Sequence, residues 1–208
     1  MRNEAGYLFA RAGKRCPASL VIAVVLLSSA WQSDDTARDL FAPTGPANVL
    51  VFVASDCPVS NGYAPEIQRI CRDYRAKGVT CSLVYEDVAI DTARVRAHRD
   101  EYRYTDISAV IDADRTIATR AKATVTPQAV VVGAGGAVKY RGRIDNQYAA
   151  LGKPRRVVTA HDLRDALDAV LAGRAVANPE TEAFGCFIAS KNDLGSRLFS
   201  FRQLQESF

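Results

Sequence analysis

The chain has few of the residues that hold metals or haem. Its 208 residues include only two histidines, His98 and His161, and no histidine and cysteine pair has the spacing of a zinc site. A Cys-x-x-Cys-His segment is absent, which excludes c-type haem attachment. We therefore interpret both histidines as surface or capping residues, and we expect no metal and no other cofactor.

A strong positive charge outside the N-terminus is also lacking. The net charge is +4, but residues 1–30 carry four basic side chains and one acidic one, so the remaining residues carry about +1. No basic patch is interleaved with aromatic residues in the way that nucleic-acid-binding surfaces are. Nucleic acid is therefore not an expected partner.

The only long uncharged apolar run lies near the N-terminus. A basic start is followed by the uncharged stretch 17–27 and by the small residues Ser28, Ser29 and Ala30. This order is typical of a secretory signal, with cleavage after Ala30, and the run is short for a bilayer span. The alternative is an uncleaved N-terminal membrane tether. Either way we expect an exported protein, periplasmic or extracytoplasmic. We assign no function to Cys16, which precedes the run.

Four cysteines remain beyond the predicted signal. They are Cys57, Cys71, Cys81 and Cys186, and an even number permits disulfides in an exported protein. Cys71 falls on the apolar stripe of a predicted helix, and Cys81 alternates with apolar residues on the strand that follows. The two are expected to pack face to face, either as a structural disulfide or as two buried free thiols.

Apolar periodicity predicts an α/β domain. Residues 31–47 are interpreted as a lead-in linker, 48–175 as the folded domain and 176–208 as an irregular C-terminal tail. Strands are predicted over 49–54, 79–85, 107–111, 128–132 and 137–144, and helices over 61–74, 92–102, 115–123 and 160–172. Early strand–helix–strand units followed by a hairpin indicate a mixed central sheet with helices on both faces.

Cys57 stands where a predicted strand gives way to a helix. Pro58 follows it directly and suits the first helical turn, where its missing N–H costs nothing. Free backbone N–H groups and the helix dipole favour negative charge at this position. A thiol there loses its proton more easily, and the thiolate is the reactive form. Ser60 lies one turn further on, where it either donates a hydrogen bond to the sulfur or caps the helix.

Several motifs stand in the order found in one superfamily. They are Cys57-Pro58-Val59-Ser60, Ala64-Pro65, Val125-Thr126-Pro127 and Gly135-Gly136. With them the chain resembles the thioredoxin-like superfamily from about residue 49 to 171. The segments 56–61, 140–146 and 185–188 resemble exported bacterial redoxin-domain proteins of the AhpC/TSA type more narrowly. The resemblance implies a thioredoxin-like fold and a redox-active thiol.

The resemblance also implies a role for Thr126 and Pro127. It favours a cis bond between them, beside the Cys57 sulfur, with the Thr126 backbone free to pair with an extended substrate segment. The alternative is a trans proline that opens an edge strand. One departure matters, because Ser60 replaces the second cysteine of the family motif. A resolving thiol then comes from outside, from the substrate or from Cys186, whose alternative role is to lie in an apolar tail anchor.

These residues predict an exported thiol–disulfide oxidoreductase in which Cys57 is the single nucleophile of a Cys-x-x-Ser motif. Its partners would be protein or small-molecule thiols and disulfides. One alternative is a peroxiredoxin-like thiol peroxidase, although Ala54 stands where such enzymes carry Thr or Ser. Arg141 and Arg143, which flank Gly142, either lie on a solvated strand face or include an active-site arginine that helps the thiolate. The other alternative is a non-catalytic thioredoxin-like binding module.

Overall fold

The computed structural model describes residues 40–87 and 89–188. The predicted signal over 1–30, most of the lead-in over 31–47 and the last twenty residues of the tail lie outside this part. Among the described residues, no helix has the length and apolar character needed to cross a membrane.

Short strands and helices alternate along the described chain. The strands are β1 (Ala47–Val53), β2 (Thr80–Tyr85), β3 (Ser108–Ile111), β4 (Val125–Thr126), β5 (Gln128–Gly133), β6 (Val138–Gly142), β7 (Tyr148–Ala150), β8 (Lys153–Pro154) and β9 (Cys186–Phe187). The helices are α1 (Pro58–Gly62), α2 (Ala64–Arg75), α3 (Thr92–Glu101), α4 (Thr116–Ala121) and α5 (Asp162–Leu171).

The central sheet has five strands in the order β3-β2-β1-β5-β6. Strands β1, β2 and β3 run parallel, whereas β5 is antiparallel to both β1 and β6. The middle strand β1 is buried at every residue, which accounts for its apolar run from Val49 to Val53. The predicted mixed α/β sheet is confirmed.

Helices cover both faces of this sheet. Val49, Val51 and Val53 of β1 share one core with α2, α3 and α5, while Leu50 and Phe52 share a second core with α4. This division follows from the alternation of side chains along a strand. The prediction of helices on both faces is thereby confirmed.

Some boundaries differ from the predictions. The helix predicted from residue 61 begins earlier, at Pro58, and is broken at Tyr63 ahead of Pro65 because proline lacks the N–H that would continue the ladder. The strand predicted to reach residue 144 ends at Gly142. A small β7–β8 hairpin follows it. In the tail, predicted to be irregular, β9 pairs with β4.

Candidate active site

Cys57 lies at the carboxyl end of β1, in the turn that leads into α1. Its backbone N–H donates to Ala54 O at 3.2 Å, and its carbonyl accepts from Asn61 N at 3.0 Å. Pro58 opens α1. The Thr126–Pro127 bond is cis, and Thr126 O accepts a hydrogen bond from the Cys57 thiol at 3.2 Å. The structure therefore brings Cys57, Ser60, Thr126 and Pro127 together.

The C-terminal tail covers this sulfur. Strand β9 pairs antiparallel with β4, with Cys186 opposite Thr126 and Phe187 opposite Val125. Cys186 Sγ lies 2.7 Å from Cys57 Sγ, and the two cysteines are not joined in a disulfide. Because of this cover Cys57 is only 1% exposed.

A second contact holds the tail a few residues before Cys186. Arg141 N donates to Pro179 O at 2.9 Å, and Thr181 N donates to Arg141 O at 3.1 Å. The Thr181 hydroxyl lies 2.6 Å from the Tyr140 hydroxyl. The tail thus runs along the edge of β6 before it crosses to β4. This anchor fixes where Cys186 can reach.

The environment separates the pKa values of the two thiols. Burial alone would raise the pKa of Cys57, but hydrogen bonds from the Cys186 thiol and from the N–H and hydroxyl of Ser60 outweigh it, and the pKa is lowered. Burial, the hydrogen bond to Cys57 and the charges of Cys57, Asp56 and Glu86 raise the pKa of Cys186 to about 12. Cys57 is therefore the more acidic of the two thiols, and Cys186 keeps its proton to higher pH.

Ser60 contributes to this separation through two groups. Its side chain is 1% exposed, and its hydroxyl has no hydrogen-bond partner among the described residues. The hydroxyl forms no hydrogen bond with the protonated thiol, so its lowering of the Cys57 pKa comes from the hydrogen bond that it can donate to the thiolate. Because α1 has only five residues, these local bonds matter more than the dipole of a long helix.

His98 supports the turn that carries Cys57. It is 3% exposed, so its interpretation as a surface or capping residue is wrong. One ring nitrogen lies 2.8 Å from the Tyr85 hydroxyl and the other 2.9 Å from Asn61 Oδ1. Asn61 in turn donates to Ser55 O at 3.3 Å. The charged sequence of α3 gives no signal that its histidine points inward.

Glu86 is a second residue that the sequence did not single out. It follows β2, is 6% exposed, and its Oε2 has no hydrogen-bond partner within the described ranges. Burial raises its pKa to about 7, against the opposing charge of Arg115. The negative charge of Glu86 helps to raise the pKa of Cys186. The thiol pair therefore lies within the electrostatic influence of a buried carboxyl.

Comparisons with known proteins agree with this fold. The chain resembles an uncharacterized conserved protein of Geobacillus kaustophilus, with 26% identity, a TM-score of 0.63 and coverage of 74% of this chain and 81% of that one. It also resembles a hypothetical protein of Sinorhizobium meliloti 1021, with 26% identity, a TM-score of 0.62 and coverage of 69% and 79%. Both solved structures share the α/β fold of this chain.

Structures of thiol–disulfide oxidoreductases occur among the weaker matches. A secreted disulfide oxidoreductase of Mycobacterium tuberculosis is 19% identical, with a TM-score of 0.43 and coverage of 63% of this chain and 84% of that one. No protein-family model and no curated protein matches the sequence.

The other two cysteines pair away from Cys57. The structure joins Cys71 on α2 to Cys81 on β2 in a disulfide, with their Cα atoms 5.8 Å apart. Of the two expectations for this pair, a structural disulfide or two buried free thiols, the structure shows the disulfide between helix and strand. Cys57 and Cys186 are the free cysteines of the described chain.

The two arginines near the hairpin serve other contacts. Arg141 donates to Ala121 O at 3.0 Å and pairs with Glu180. Arg143 forms a two-pronged ion pair with Asp162, at 2.7 and 3.1 Å. In the described part of the chain, neither arginine donates a hydrogen bond to Cys57. Within the described residues no group of three His, Cys, Asp or Glu side chains is placed to hold a metal.

Proposed function

We propose that this protein is an exported thiol–disulfide oxidoreductase in which Cys57 is the nucleophile and Cys186 the resolving thiol. The observation that carries the proposal is the 2.7 Å approach of the two sulfurs, beside the Thr126 carbonyl. The leader-like sequence of residues 1–30 supports export, with a redoxin domain over 48–175 and the tail over 176–208. An uncleaved leader would tether it to a membrane.

The reaction follows from thiol–disulfide exchange. The Cys57 thiolate attacks one sulfur of a substrate disulfide, forms a mixed disulfide and releases the other substrate sulfur as a thiolate. Cys186, having lost its proton, then attacks the Cys57 sulfur, which closes the Cys57–Cys186 disulfide and releases the second substrate thiol. The substrate gains two electrons and the protein loses them. An external thiol reductant restores the pair, and an oxidised protein would run the same steps in reverse.

The order of the steps follows from the charges. While Cys57 is a thiolate, its charge and hydrogen bond help to raise the pKa of Cys186 to about 12. The mixed disulfide removes that charge, so the pKa of Cys186 falls once Cys57 has reacted. Burial still acts on Cys186, but the loss of the Cys57 charge makes Cys186 the better nucleophile once there is a mixed disulfide to resolve. This supports a catalytic pair over a binding module with an ordinary thiol.

The same contacts favour exchange over peroxide reduction. Both candidate arginines are occupied by carboxylates or a carbonyl. Ala54 offers no hydroxyl three residues before Cys57. Thr126 presents a backbone edge beside the sulfur, which suits an extended peptide rather than a small peroxide.

The proposal is tested with three full-length proteins: wild type, Cys57→Ser and Cys186→Ala. Each is incubated with a protein disulfide and analysed by mass spectrometry after alkylation. We expect wild type to end with a Cys57–Cys186 disulfide and Cys186→Ala to accumulate the mixed disulfide through Cys57. Cys57→Ser should form neither product.

Two results would contradict the proposal. One is disulfide reductase or isomerase activity in Cys57→Ser equal to wild type. The other is a Cys186→Ala protein that releases reduced substrate as fast as wild type, because that would assign resolution to another thiol. The peroxidase alternative is checked by measuring peroxide consumption, which should be no faster than that of a free thiol.

A further inference from the structure

We infer that the groove beside Cys57 selects disulfides in which the attacked cysteine directly follows a glycine in an extended segment. This inference rests on the proposed function, since it names the substrate class of the same site. The tail of this chain is the template, because it occupies the groove as a peptide strand and presents its own cysteine to Cys57.

The register of the tail defines where each residue of such a segment would lie. Cys186 is opposite Thr126, and Phe187 is opposite Val125. The Thr126 hydroxyl donates to Cys186 O at 3.4 Å, and Ile188 N donates to Thr124 O at 2.9 Å. These contacts are made to the peptide backbone, so another extended segment can make them in the same register.

The residue before the cysteine meets the most restrictive surface. A Cβ atom on Gly185 would lie 2.6 Å from the Thr126 carbonyl carbon and 3.1 Å from Pro127 N, and closer still to Thr126 O. Those atoms belong to the buried backbone beneath the sulfur, not to a side chain that can turn away. Gly185 is not among the residues with positive φ, so its requirement concerns space alone. Any side chain there must displace the segment from Cys57.

The neighbouring positions are restricted less. Phe187 is 85% exposed, so the residue after the cysteine is open to solvent. Phe184 lines a small cavity with Tyr63, Pro127 and Tyr148, which favours an aromatic residue before the glycine. The expected substrate segment is therefore aromatic, glycine, cysteine and then any residue.

An external segment reaches the groove when β9 leaves it. Strand β9 pairs over only two residues, and short exposed pairings open at low free energy. The anchor at Thr181 does not have to move, because four residues lie between it and Cys186. Substrate and tail therefore compete for the same backbone edge.

The first experiment measures how strongly the groove restricts the side chain at position 185 in the full-length protein. The equilibrium constant of the Cys57–Cys186 disulfide against glutathione is determined for wild type, Gly185→Ala and the control Phe187→Ala. Gly185→Ala should lower it by about tenfold or more, which corresponds to ~1.4 kcal/mol, and Phe187→Ala should stay within about twofold. Equal constants for Gly185→Ala and wild type would overturn the inference. Far-UV circular dichroism checks that each variant is folded.

The second experiment presents the segment from outside. Blocked peptides with the sequence of residues 181–188 carry 5-thio-2-nitrobenzoate on their cysteine, and full-length Cys186→Ser protein is the nucleophile. Attack by Cys57 on the peptide sulfur forms a mixed disulfide and releases the coloured thiolate. The native peptide should react about tenfold faster than its Gly185→Ala form, and its Phe187→Ala form should match the native peptide.

The two failures are distinguishable. If Cys57 reacts with the small disulfide 5,5′-dithiobis(2-nitrobenzoate) no faster than free glutathione does, the proposed function itself fails. If that reaction is fast but the glycine and alanine peptides react equally, the thiol chemistry stands and the selectivity for glycine is wrong.

Discussion

The buried Glu86 should lower the unfolding free energy increasingly as the pH rises. Replacing Glu86 by Gln should remove this decrease. Burial raises the pKa of Glu86 to about 7, from an ordinary value of 4.5. Below that ordinary value the carboxyl is neutral in both the folded and the unfolded chain. Between the two values the unfolded chain has lost the proton and the folded chain keeps it, so stability falls as pH rises. Above about pH 7 both are ionised and the full loss is present.

The magnitude follows from the difference between the two pKa values. About 2.5 units at ~1.36 kcal/mol per unit amount to roughly 3 kcal/mol. Glu86 is 6% exposed, so water screens little of this loss. The charges that face it are Arg115, which opposes the shift, and Asp87 and Asp112, which add to it. All three remain in the variant.

The assay is urea unfolding followed by circular dichroism, from about pH 4 to about pH 8. Both proteins carry Cys57→Ser, so that no thiolate at this position contributes to the pH dependence. We compare the change in unfolding free energy across the pH range and not its absolute value. The buried Gln amide has its own effect on stability, but that effect does not depend on pH. From about pH 4 to about pH 8, the unfolding free energy should fall by about 3 kcal/mol more with Glu86 than with Gln. The exposed Glu182→Gln variant should behave like its parent, and parallel curves within about 1 kcal/mol for Glu86 and Gln would refute the reasoning.

Two further predictions concern the cysteines. Replacing both Cys71 and Cys81 by Ala opens a loop with a sequence separation of 10 residues, which should lower the unfolding free energy by about 2.7 kcal/mol in the chain-entropy treatment; urea unfolding checks it, and a change below about 1 kcal/mol would contradict it. Ser60→Ala removes a hydroxyl that lowers the pKa of Cys57, so that pKa should rise when titrated by thiolate absorbance. An unchanged titration would mean that the backbone N–H of residue 60 and the Cys186 thiol suffice.

Local sequence predicted the central strands and helices of the fold but missed some of its peripheral elements. Strand β1 and the stripe of α2 were predictable because burial leaves a continuous or periodic apolar pattern. The β7–β8 hairpin over residues 148–154 has no such pattern, since most of its residues face solvent. Glu86 precedes another acid in the sequence and resembles a surface residue there. The local sequence does not reveal this burial, because it depends on the parts of the folded chain that pack over the end of β2.

The site itself could be predicted only as far as its parts are adjacent in sequence. Cys57 and Ser60 share one turn, and the Thr126-Pro127 motif has a known place relative to them in the superfamily. Cys186 is 129 residues from Cys57, and β9 is too short to show a strand pattern. Its position depends on the Thr181 anchor and on the close fit of Gly185, which are properties of the folded chain.

Placing the second thiol on a strand instead of in the helix changes what oxidation does. In a Cys-x-x-Cys motif both sulfurs belong to one helical turn, so closing the disulfide leaves the groove beside the proline open. Here the second sulfur belongs to the segment that fills the groove. Under the proposed function, oxidation therefore fixes the tail over Thr126, and reduction must come before any substrate segment can pair there.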